Sequence, residues 1–577
     1  MERQPPVAQS DEIDLYVRTY YSLLRSTGEV RVRAFEEAHS YSRSSLHDGA
    51  LSTTPDVSAF AYAAGRLPDV MPQTQLIVLG QSHELFEAAG YDVRSWQRVT
   101  TRGRRRPLRW NANGTLAAFI ASASDIDDLI PIVTAYQIEW NKMSRRLKGL
   151  GASLHPDTEL PPKETLVHLL GISHEKWDHL VEAFGASRLE ASLRTLATKP
   201  LDLRVRMLAA SHSQYQRAAQ RWWSGVEPSY VRPMPRPSGN ARPPVYFVSS
   251  NTHAIANLVG GSVRAHRDDI LAYVRQVNPE GLSSKVETAL ASGDEAEIAP
   301  LLYYLLRGWI HHGNSDDRVR AVRDGESRVG LAHLSGPGHI DVDAQVIELA
   351  KIDPSRLDPR LRVDGAERLS GSDALIVNID YPLGMAAYYL LSRLGQGVGE
   401  LRGVYVMGKA ATLNGRVGDV ALSSVVYDEH TRNTFLFQNA FSAKDVRPYL
   451  RYGSVFDNQS ALTVRSAFLQ NKRYMNAFYR DGYTVLEMEA GPFLSSVYEL
   501  VHPTPVPQNE IVHFGAQTPF DVGFLHYASD TPYSRRQSLL SKSLSYYGVD
   551  STYACAIAIV RRILELEVAR ARETAGE

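Results

Sequence analysis

The sequence predicts a multidomain α/β protein in which strands alternate with helices. Three observations predict this class. Strand-then-helix patterns recur along the chain, hydrophobic residues make up 44% and charged residues 22% of it, and its 577 residues exceed what one hydrophobic core usually serves. Such a composition is typical of a folded globular protein rather than of a disordered or membrane-spanning one.

The charge balance and cysteine content exclude several classes of function. Lys plus Arg (63) nearly equals Asp plus Glu (64), so no net field attracts nucleic acid or an anionic membrane. The single cysteine, Cys555, excludes an internal disulfide framework and a Cys-rich zinc site, and it fits a reducing compartment. No window offers 18 consecutive apolar residues. We therefore expect a cytoplasmic protein that is neither secreted nor membrane-spanning.

Residues 1–150 are predicted to form an N-terminal α/β region. QLIVLGQSHELFEAAG is typical of a buried strand, a turn and a helix, and LAAFIASASDIDDLIPIVTAYQIEWNKM repeats that order. We interpret its acidic residues as charges of the helix start rather than as a metal site; they are Asp125, Asp127 and Asp128. A basic run could clamp a phosphate, although we favour a solvated loop; it comprises Arg102, Arg104, Arg105 and Arg106.

The middle of the chain is less regular. Residues 151–230 are helical in pattern, and residues 231–345 begin with the proline-rich VRPMPRPSGNARPP, a linker or extended segment, before a further α/β stretch. In that stretch, residues 249–253 (SSNTH) follow a buried strand and could bind phosphate or sugar, or equally cap the next helix. His311 and His312 lack metal-ligand spacing and are expected at the surface.

Residues 346–577 carry the motifs with chemical content. The strand VYVMG is predicted to end in a small-residue turn, Gly408 to Ala411, which the sequence V-G-D-V-A-L-S follows. Glu487-Met488-Glu489-Ala490 stands at a strand-to-helix junction, and Ala528-Ser529-Asp530 ends an apolar strand. Upstream lies NIDYPLGMAAYYLLSRL, with a glycine and two alanines before a helix.

Together these segments resemble, over roughly residues 370–565, the nucleoside phosphorylase and nucleosidase superfamily. That family has a Gly-x-Ala-Gly-type turn before a Gly-Asp strand, a Met-Glu-Ala/Thr-Ala segment opening a later helix, and a Ser-Asp pair. The resemblance implies a three-layer α/β/α domain at 346–577. Two features depart from it: Lys409 stands where the family has a small or hydroxyl residue, and neither the Gly-x-Pro-x-Arg phosphate loop nor a water-activating glutamate is found.

The resemblance also implies roles for individual residues. Asp530 would protonate the leaving base, and Glu489 would hold the ribose hydroxyls above Met488. Each carboxylate could instead cap a helix. Asp419 is expected to brace the turn rather than react. Further predicted substrate-binding residues are Glu487, Gly408, Lys409, Ala410, Ser529, Tyr427 and Phe437, and His430, Arg432 and Phe435 are weaker candidates that packing could equally explain.

We therefore expect cleavage of the N-glycosidic bond of a nucleoside or nucleotide, by water or by phosphate. The alternative is a nucleoside-binding sensor or scaffold that has lost turnover, as Lys409 and the missing glutamate would permit. No metal or cofactor is expected, with inorganic phosphate as an optional co-substrate. Members of the superfamily commonly assemble with their own copies, so a homo-oligomer is expected, whereas nucleic acid and membrane are not.

Overall fold

The computed structural model describes residues 11–26, 28–103, 106–153, 159–208, 210–231, 242–313, 315–502, 504–514, 518–530 and 546–576. Within these ranges the chain forms two β-sheets with helices packed against them, which confirms the predicted α/β class. No helix in these ranges has both the length and the apolar character that a membrane span requires.

The first sheet is built from six strands in the order β1-β6-β2-β5-β4-β3. Its central strands β6, β2 and β5 are parallel, and the outer strands are antiparallel. Their bounds are β1 Val30–Arg31, β2 Leu76–Gly80, β3 Gln97–Val99, β4 Leu108–Asn111, β5 Thr115–Phe119 and β6 Arg204–Met207. Because β6 belongs to this sheet, the prediction of a purely helical region at 151–230 was wrong.

Nine helices in the described part of residues 11–231 surround this sheet. They are α1 Asp11–Ser26, α2 Arg33–Tyr41, α3 Val57–Ala64, α4 His83–Ala88, α5 Ala123–Leu147, α6 Lys163–Leu170, α7 His174–Phe184, α8 Leu189–Thr198 and α9 His212–Tyr230. The long helix α5 starts at a capping box between Ser122 and Asp125. The prediction that Asp125 is a helix-start charge is thus confirmed.

The second sheet has eleven strands, and it begins at Pro244 rather than at the predicted boundary of 346. Ten of its strands follow the order β16-β13-β12-β14-β15-β11-β7-β10-β9-β8. The bounds are β7 Pro244–Ser249, β8 Leu331–Leu334, β9 Ala344–Glu348, β10 Leu375–Ile379, β11 Glu400–Thr412, β12 Val420–Asp428, β13 Thr434–Leu436, β14 Val455–Thr463, β15 Tyr483–Glu487, β16 Ile511–His513 and β17 Asp521–Asp530.

Helices cover both faces of this sheet, which gives the three layers that the resemblance implied. Along β7, Val245 and Phe247 enter one apolar core, whereas Tyr246 and Val248 enter another on the opposite face. The helices of this part are α10 Ala254–Gly260, α11 Ser262–Ala265, α12 Arg267–Val277, α13 Ser283–Ser292, α14 Glu295–Ile310, α15 Ser315–Arg328, α16 Ala386–Gly397, α17 Ala443–Val446, α18 Lys472–Arg480, α19 Ala490–Val501 and α20 Tyr546–Ala575.

Strand β17 closes part of the sheet into a ring. It pairs with β11 on one side and with β12 on the other, while β12, β14, β15 and β11 pair in succession. Closing a sheet on itself leaves no edge between these strands and encloses an interior lined by alternate side chains. The segments singled out in the sequence therefore lie around one ring.

Candidate functional site

Three motif segments meet at Ala411. This residue pairs with Leu486 of β15 on one side and with Asp530 of β17 on the other. The predicted turn at Gly408 to Ala411 was wrong, since these residues belong to the continuous strand β11. Strand β17 pairs with all four residues and β15 with Ala411, and local sequence does not reveal such pairing. The backbones that carry Glu489 and Asp530 thus flank the same strand.

The two glutamates at the start of α19 have different environments. Glu487 is buried, and its carboxylate accepts hydrogen bonds from the amides of Glu489 (2.6 Å) and Ala490 (2.7 Å) and from the Thr463 hydroxyl. It therefore satisfies the helix N-terminus, and we assign it this structural role instead of the predicted contact with substrate. Glu489 makes no side-chain cap, so helix capping does not account for its carboxyl group.

The Glu489 side chain is partly buried, and its surroundings disfavour the ionised form of the carboxyl group. Burial raises its pKa to about 8, and the negative charge of Glu487 adds to the rise. The backbone amides of Met488 and Gly384 and the charge of Arg106 oppose that rise. A carboxyl group with a strongly raised pKa at the start of a helix is the type of group that functional sites contain.

A small hollow lies in the ring near these segments. Apolar walls come from all three of them through Ala410, Val485 and Ala528. Polar groups line it as well, among them His526, whose buried Nδ1 has no hydrogen-bond partner among the described residues. Burial lowers the pKa of His526 to about 4, so its ring is neutral at pH 7. The hollow thus combines apolar walls with a few polar groups, as ligand sites do.

The remaining predicted residues of these segments lie at or near the ring. Lys409 is exposed, so it does not fill the interior. Ser529 is buried, with its hydroxyl 3.4 Å from the Ala410 carbonyl oxygen, and Met488 packs partly buried beside a small apolar cluster. Asp530 is the last residue of β17, and its side chain falls outside the described part of the structure.

The aromatic residues after the Gly-Asp segment pack in the protein interior. Tyr427 is buried against Phe478 and Tyr483, and Phe437 is buried against Phe524. Burial raises the pKa of Tyr427 to about 12, so its hydroxyl stays protonated. We therefore assign them, like the buried Phe435, to packing rather than to the predicted stacking on a base.

A second polar group beside the site joins the candidate His430 to two residues that the sequence analysis did not connect with it, Asp428 and Ser124. His430 directs Nδ1 at Asp428 (2.9 Å) and Nε2 at the hydroxyl of Ser124 (3.2 Å). Burial alone would raise the pKa of Asp428, but the charge of His430 and its hydrogen bonds lower it. Ser124 and His430 are 306 residues apart, and no local pattern signals such a contact.

The environment of Arg106 differs from the one that the sequence predicts. The prediction of a solvated basic loop was wrong for this residue, which is buried and pairs with Asp125 (Nε to Oδ1, 3.0 Å). It also donates to the carbonyl oxygen of Pro382. A buried guanidinium requires such partners, because leaving it unpaired is costly. Arg104 and Arg105 lie outside the described residues.

Other sequence candidates have structural roles. Asn251 accepts hydrogen bonds from the amides of His253 and Ala254 at the start of α10, so the SSNTH segment caps a helix. Asp419 accepts from the amides of Arg416 and Ser454 and thereby braces the loop after β11. His311 and His312 are exposed, as predicted.

We expect Gly384→Ala to destabilise the contact between the two halves of the chain. A Cβ there would lie 2.2 Å from the Ser124 hydroxyl oxygen, and φ is +56°. Overpacking and left-handed backbone strain predict a loss of about 2–4 kcal/mol. The control is Gly313→Ala, with φ of +67° and no neighbour within 4 Å. In thermal unfolding, equal losses for the two variants would contradict a tight contact at Gly384.

Comparison with known proteins gives distant structural likenesses. No curated protein matches the chain. One similar solved structure is a putative methylthioadenosine nucleosidase from Weissella paramesenteroides, with 11% identity over 42% of this chain and 92% of that one and a TM-score of 0.26. Another is 5'-methylthioadenosine nucleosidase from Arabidopsis thaliana, with 10% identity over 57% of this chain and 95% of that one and a TM-score of 0.28. Purine nucleoside phosphorylase from Toxoplasma gondii is similar at 9% identity, over 44% of this chain and 88% of that one, with a TM-score of 0.27.

TM-scores this low do not support any statement about activity. The match to a family model is more extensive, because it spans residues 32–565 and so includes most of both sheets. The chain belongs to that family, which is described as a family of unknown function (DUF6909).

Proposed function

We propose that this protein cleaves the N-glycosidic bond of a nucleoside or nucleotide, with water or phosphate as the acceptor. The observation that carries the proposal is the pairing of Ala411 with both Leu486 and Asp530. Strand β15, which precedes Glu489, therefore lies on one side of β11, and the end of β17, which carries Asp530, lies on the other. One bound ligand can therefore contact all three segments.

The chemistry requires two carboxyl groups with different tasks. As the bond breaks, electrons flow into the base, and an acid that protonates the base neutralises that charge, which we assign to Asp530. The sugar becomes positively charged, and an anionic carboxylate on its hydroxyls stabilises it, which we assign to Glu489. The helix cap supplied by Glu487 leaves Glu489 available for this contact.

The hollow in the ring suits the base. Its walls at Ala410, Val485 and Ala528 are small and apolar, which is typical of sites that bind planar rings. Val485 and Ala528 precede Glu489 and Asp530 by four and two residues on their chains. In this arrangement the base lies against the ring beside Val485 and Ala528, and the sugar lies near the start of α19.

The raised pKa of Glu489 predicts a pH dependence. Since the anion is the form that stabilises the sugar, activity should rise with pH as Glu489 ionises near pH 8, up to the pH at which the acid Asp530 loses its proton. The measurement is kcat/KM for base release between pH 5.5 and 9.5. A rising limb near pH 8 that persists unchanged in Glu489→Gln would contradict the assigned role, since that variant has no carboxyl group to titrate.

The same pKa favours a second candidate function, which is nucleoside binding without turnover. At pH 7 only roughly one Glu489 in ten is ionised in a site whose pKa is about 8. A protonated carboxyl still exchanges hydrogen bonds with a diol but does not stabilise positive charge. Such a protein would bind nucleosides and release nothing at neutral pH.

A release assay separates the two functions. Purified protein is incubated at pH 7 and at pH 8.5 with a panel of nucleosides and nucleotides, with and without phosphate, and free base is measured by chromatography. Base release that rises between the two pH values supports cleavage, and dependence on phosphate identifies the acceptor. Nucleoside binding by calorimetry without release over hours supports the sensor, and neither binding nor release contradicts both.

A further inference from the structure

The first turn of α5 connects the two halves of the chain through Ser124. This residue is fully buried. Its hydroxyl oxygen accepts a hydrogen bond from the backbone amide of Met385 (2.9 Å) and lies 3.2 Å from Nε2 of His430. Buried polar atoms that satisfy each other in this way fix the relative position of the groups that carry them.

The direction of these hydrogen bonds follows from Asp428. Its carboxylate lies 2.9 Å from His430 Nδ1 and also accepts from the hydroxyl of Thr431 (2.8 Å). A carboxylate accepts only, so Nδ1 carries a proton, and Nε2 is the ring atom that faces the Ser124 hydroxyl. The order serine, histidine, aspartate is that of an activated nucleophile. Because Ser124 is fully buried with its oxygen bound to an amide, we assign it to positioning and not to attack.

The loop that Ser124 holds, residues 382–385, is strained. Leu383 and Gly384 have φ values of +64° and +56°, and for a leucine that conformation is costly and requires support from its surroundings. A second tether comes from Arg106, which donates to the carbonyl oxygen of Pro382. Both tethers belong to the N-terminal half of the chain, so that half keeps the loop in its conformation.

The loop lies beside the residue that precedes Glu489, since a Cβ built at Gly384 would be 3.8 Å from the carbonyl oxygen of Met488. The Gly384 amide and the charge of Arg106 both favour the ionised form of Glu489, against the negative charge of Glu487. Of the other charged groups nearby, Asp125 pairs with Arg106, and Asp428 pairs with His430. The groups that favour the anion thus depend on the tethers from the N-terminal half.

We propose that Ser124, held by His430 and Asp428, is a positioning residue through which the N-terminal half keeps loop 382–385 against Glu489. The candidate site then requires both halves of the chain. The consequence for catalysis rests on the proposed function, whereas the contact of Ser124 with the loop does not. Two readouts therefore test the proposal separately.

The first readout is hydrogen exchange measured by mass spectrometry on peptides that contain Met385. Ser124→Ala removes the acceptor of its amide, and the expected result is exchange about tenfold faster there, the effect of one lost hydrogen bond. The matched control is Ser144→Ala, at a buried serine of the same helix roughly 30 Å away. Unchanged exchange in Ser124→Ala, or equal acceleration in both variants, would overturn the proposal.

The second readout is the pH profile of base release. In Ser124→Ala the Gly384 amide is held less firmly, so the midpoint should move upward by about half a pH unit or more and kcat should fall about tenfold, with Ser144→Ala unchanged. A profile identical to that of the wild type would overturn the positioning role even if kcat fell. If the wild type releases no base, the proposed function fails, and hydrogen exchange alone decides whether Ser124 holds the loop.

A second variant covers the case in which Ser124→Ala does not fold. His430→Asn removes the ring nitrogen that is hydrogen-bonded to the Ser124 hydroxyl, while it leaves the acceptor of the Met385 amide in place. Exchange at Met385 should then increase about threefold, less than in Ser124→Ala, because the serine is oriented less firmly. Unchanged exchange at Met385 in this variant would contradict the role of His430 and Asp428 in holding Ser124.

Discussion

Asp530→Asn is expected to lower the rate of base release by about 10²- to 10⁴-fold, the usual contribution of a general acid. An amide keeps the size and shape of the carboxyl group but cannot give a proton to the leaving base. Binding of the nucleoside should weaken by less than about tenfold, since the remaining contacts persist. The measurements are kcat for release and Kd from calorimetry on the same preparation.

The matched control is Asp521→Asn, the same substitution at the opposite end of β17. Asp521 accepts hydrogen bonds from Arg562 (2.8 Å) and Tyr405 (3.2 Å) and is remote from Ala411 along the strand. This variant should release base at close to the wild-type rate. Retention of activity in Asp530→Asn to within a factor of three would remove Asp530 from the mechanism.

Glu489→Gln is expected to lower base release by about 10²- to 10³-fold and, unusually, to raise thermal stability. The activity falls because the amide cannot stabilise positive charge on the sugar. Glu499→Gln, near the far end of the same helix α19, is the control for the substitution itself. An active Glu489→Gln variant would contradict the assigned role.

The gain in stability follows from the sign of the pKa shift. The folded-state pKa of Glu489, about 8, lies above its unfolded value, so its contribution to stability is fully present at acid pH and is lost as pH rises through about 8. Glutamine has no such dependence. The variant should therefore be more stable than the wild type by about 2 kcal/mol at pH 8, after allowance for solvent near the group. The difference in unfolding midpoint should shrink towards pH 5, and a difference independent of pH would contradict the burial of this carboxyl.

The layers of the fold were predictable because each strand and helix has its own local pattern. Strand β7 reads as an uninterrupted apolar run, and α5 begins with a serine and an aspartate that form its capping box. Pairing partners were not predictable. Strand β6 lies among helices in sequence but joins β2, and the small residues at Gly408 to Ala411 suggested a turn although two neighbouring strands hold them in β11.

The site was predictable where its residues lie within short segments. The Glu-Met-Glu-Ala sequence marked the start of α19, yet only the structure shows that Glu487 caps the helix while Glu489 does not. Arg106 and Ser124 approach the site from the other half of the chain. Contacts over such sequence separations depend on how two sheets pack together, which a local pattern does not encode.

A crystal structure with a nucleoside bound would test most directly whether Glu489 and Asp530 contact the same ligand. We expect ribose hydroxyls within hydrogen-bond distance of the Glu489 carboxyl group, with the base against the ring and its edge at Asp530. A nucleoside bound elsewhere, or the carboxyl groups of Asp530 and Glu489 on opposite faces of β11, would contradict this expectation.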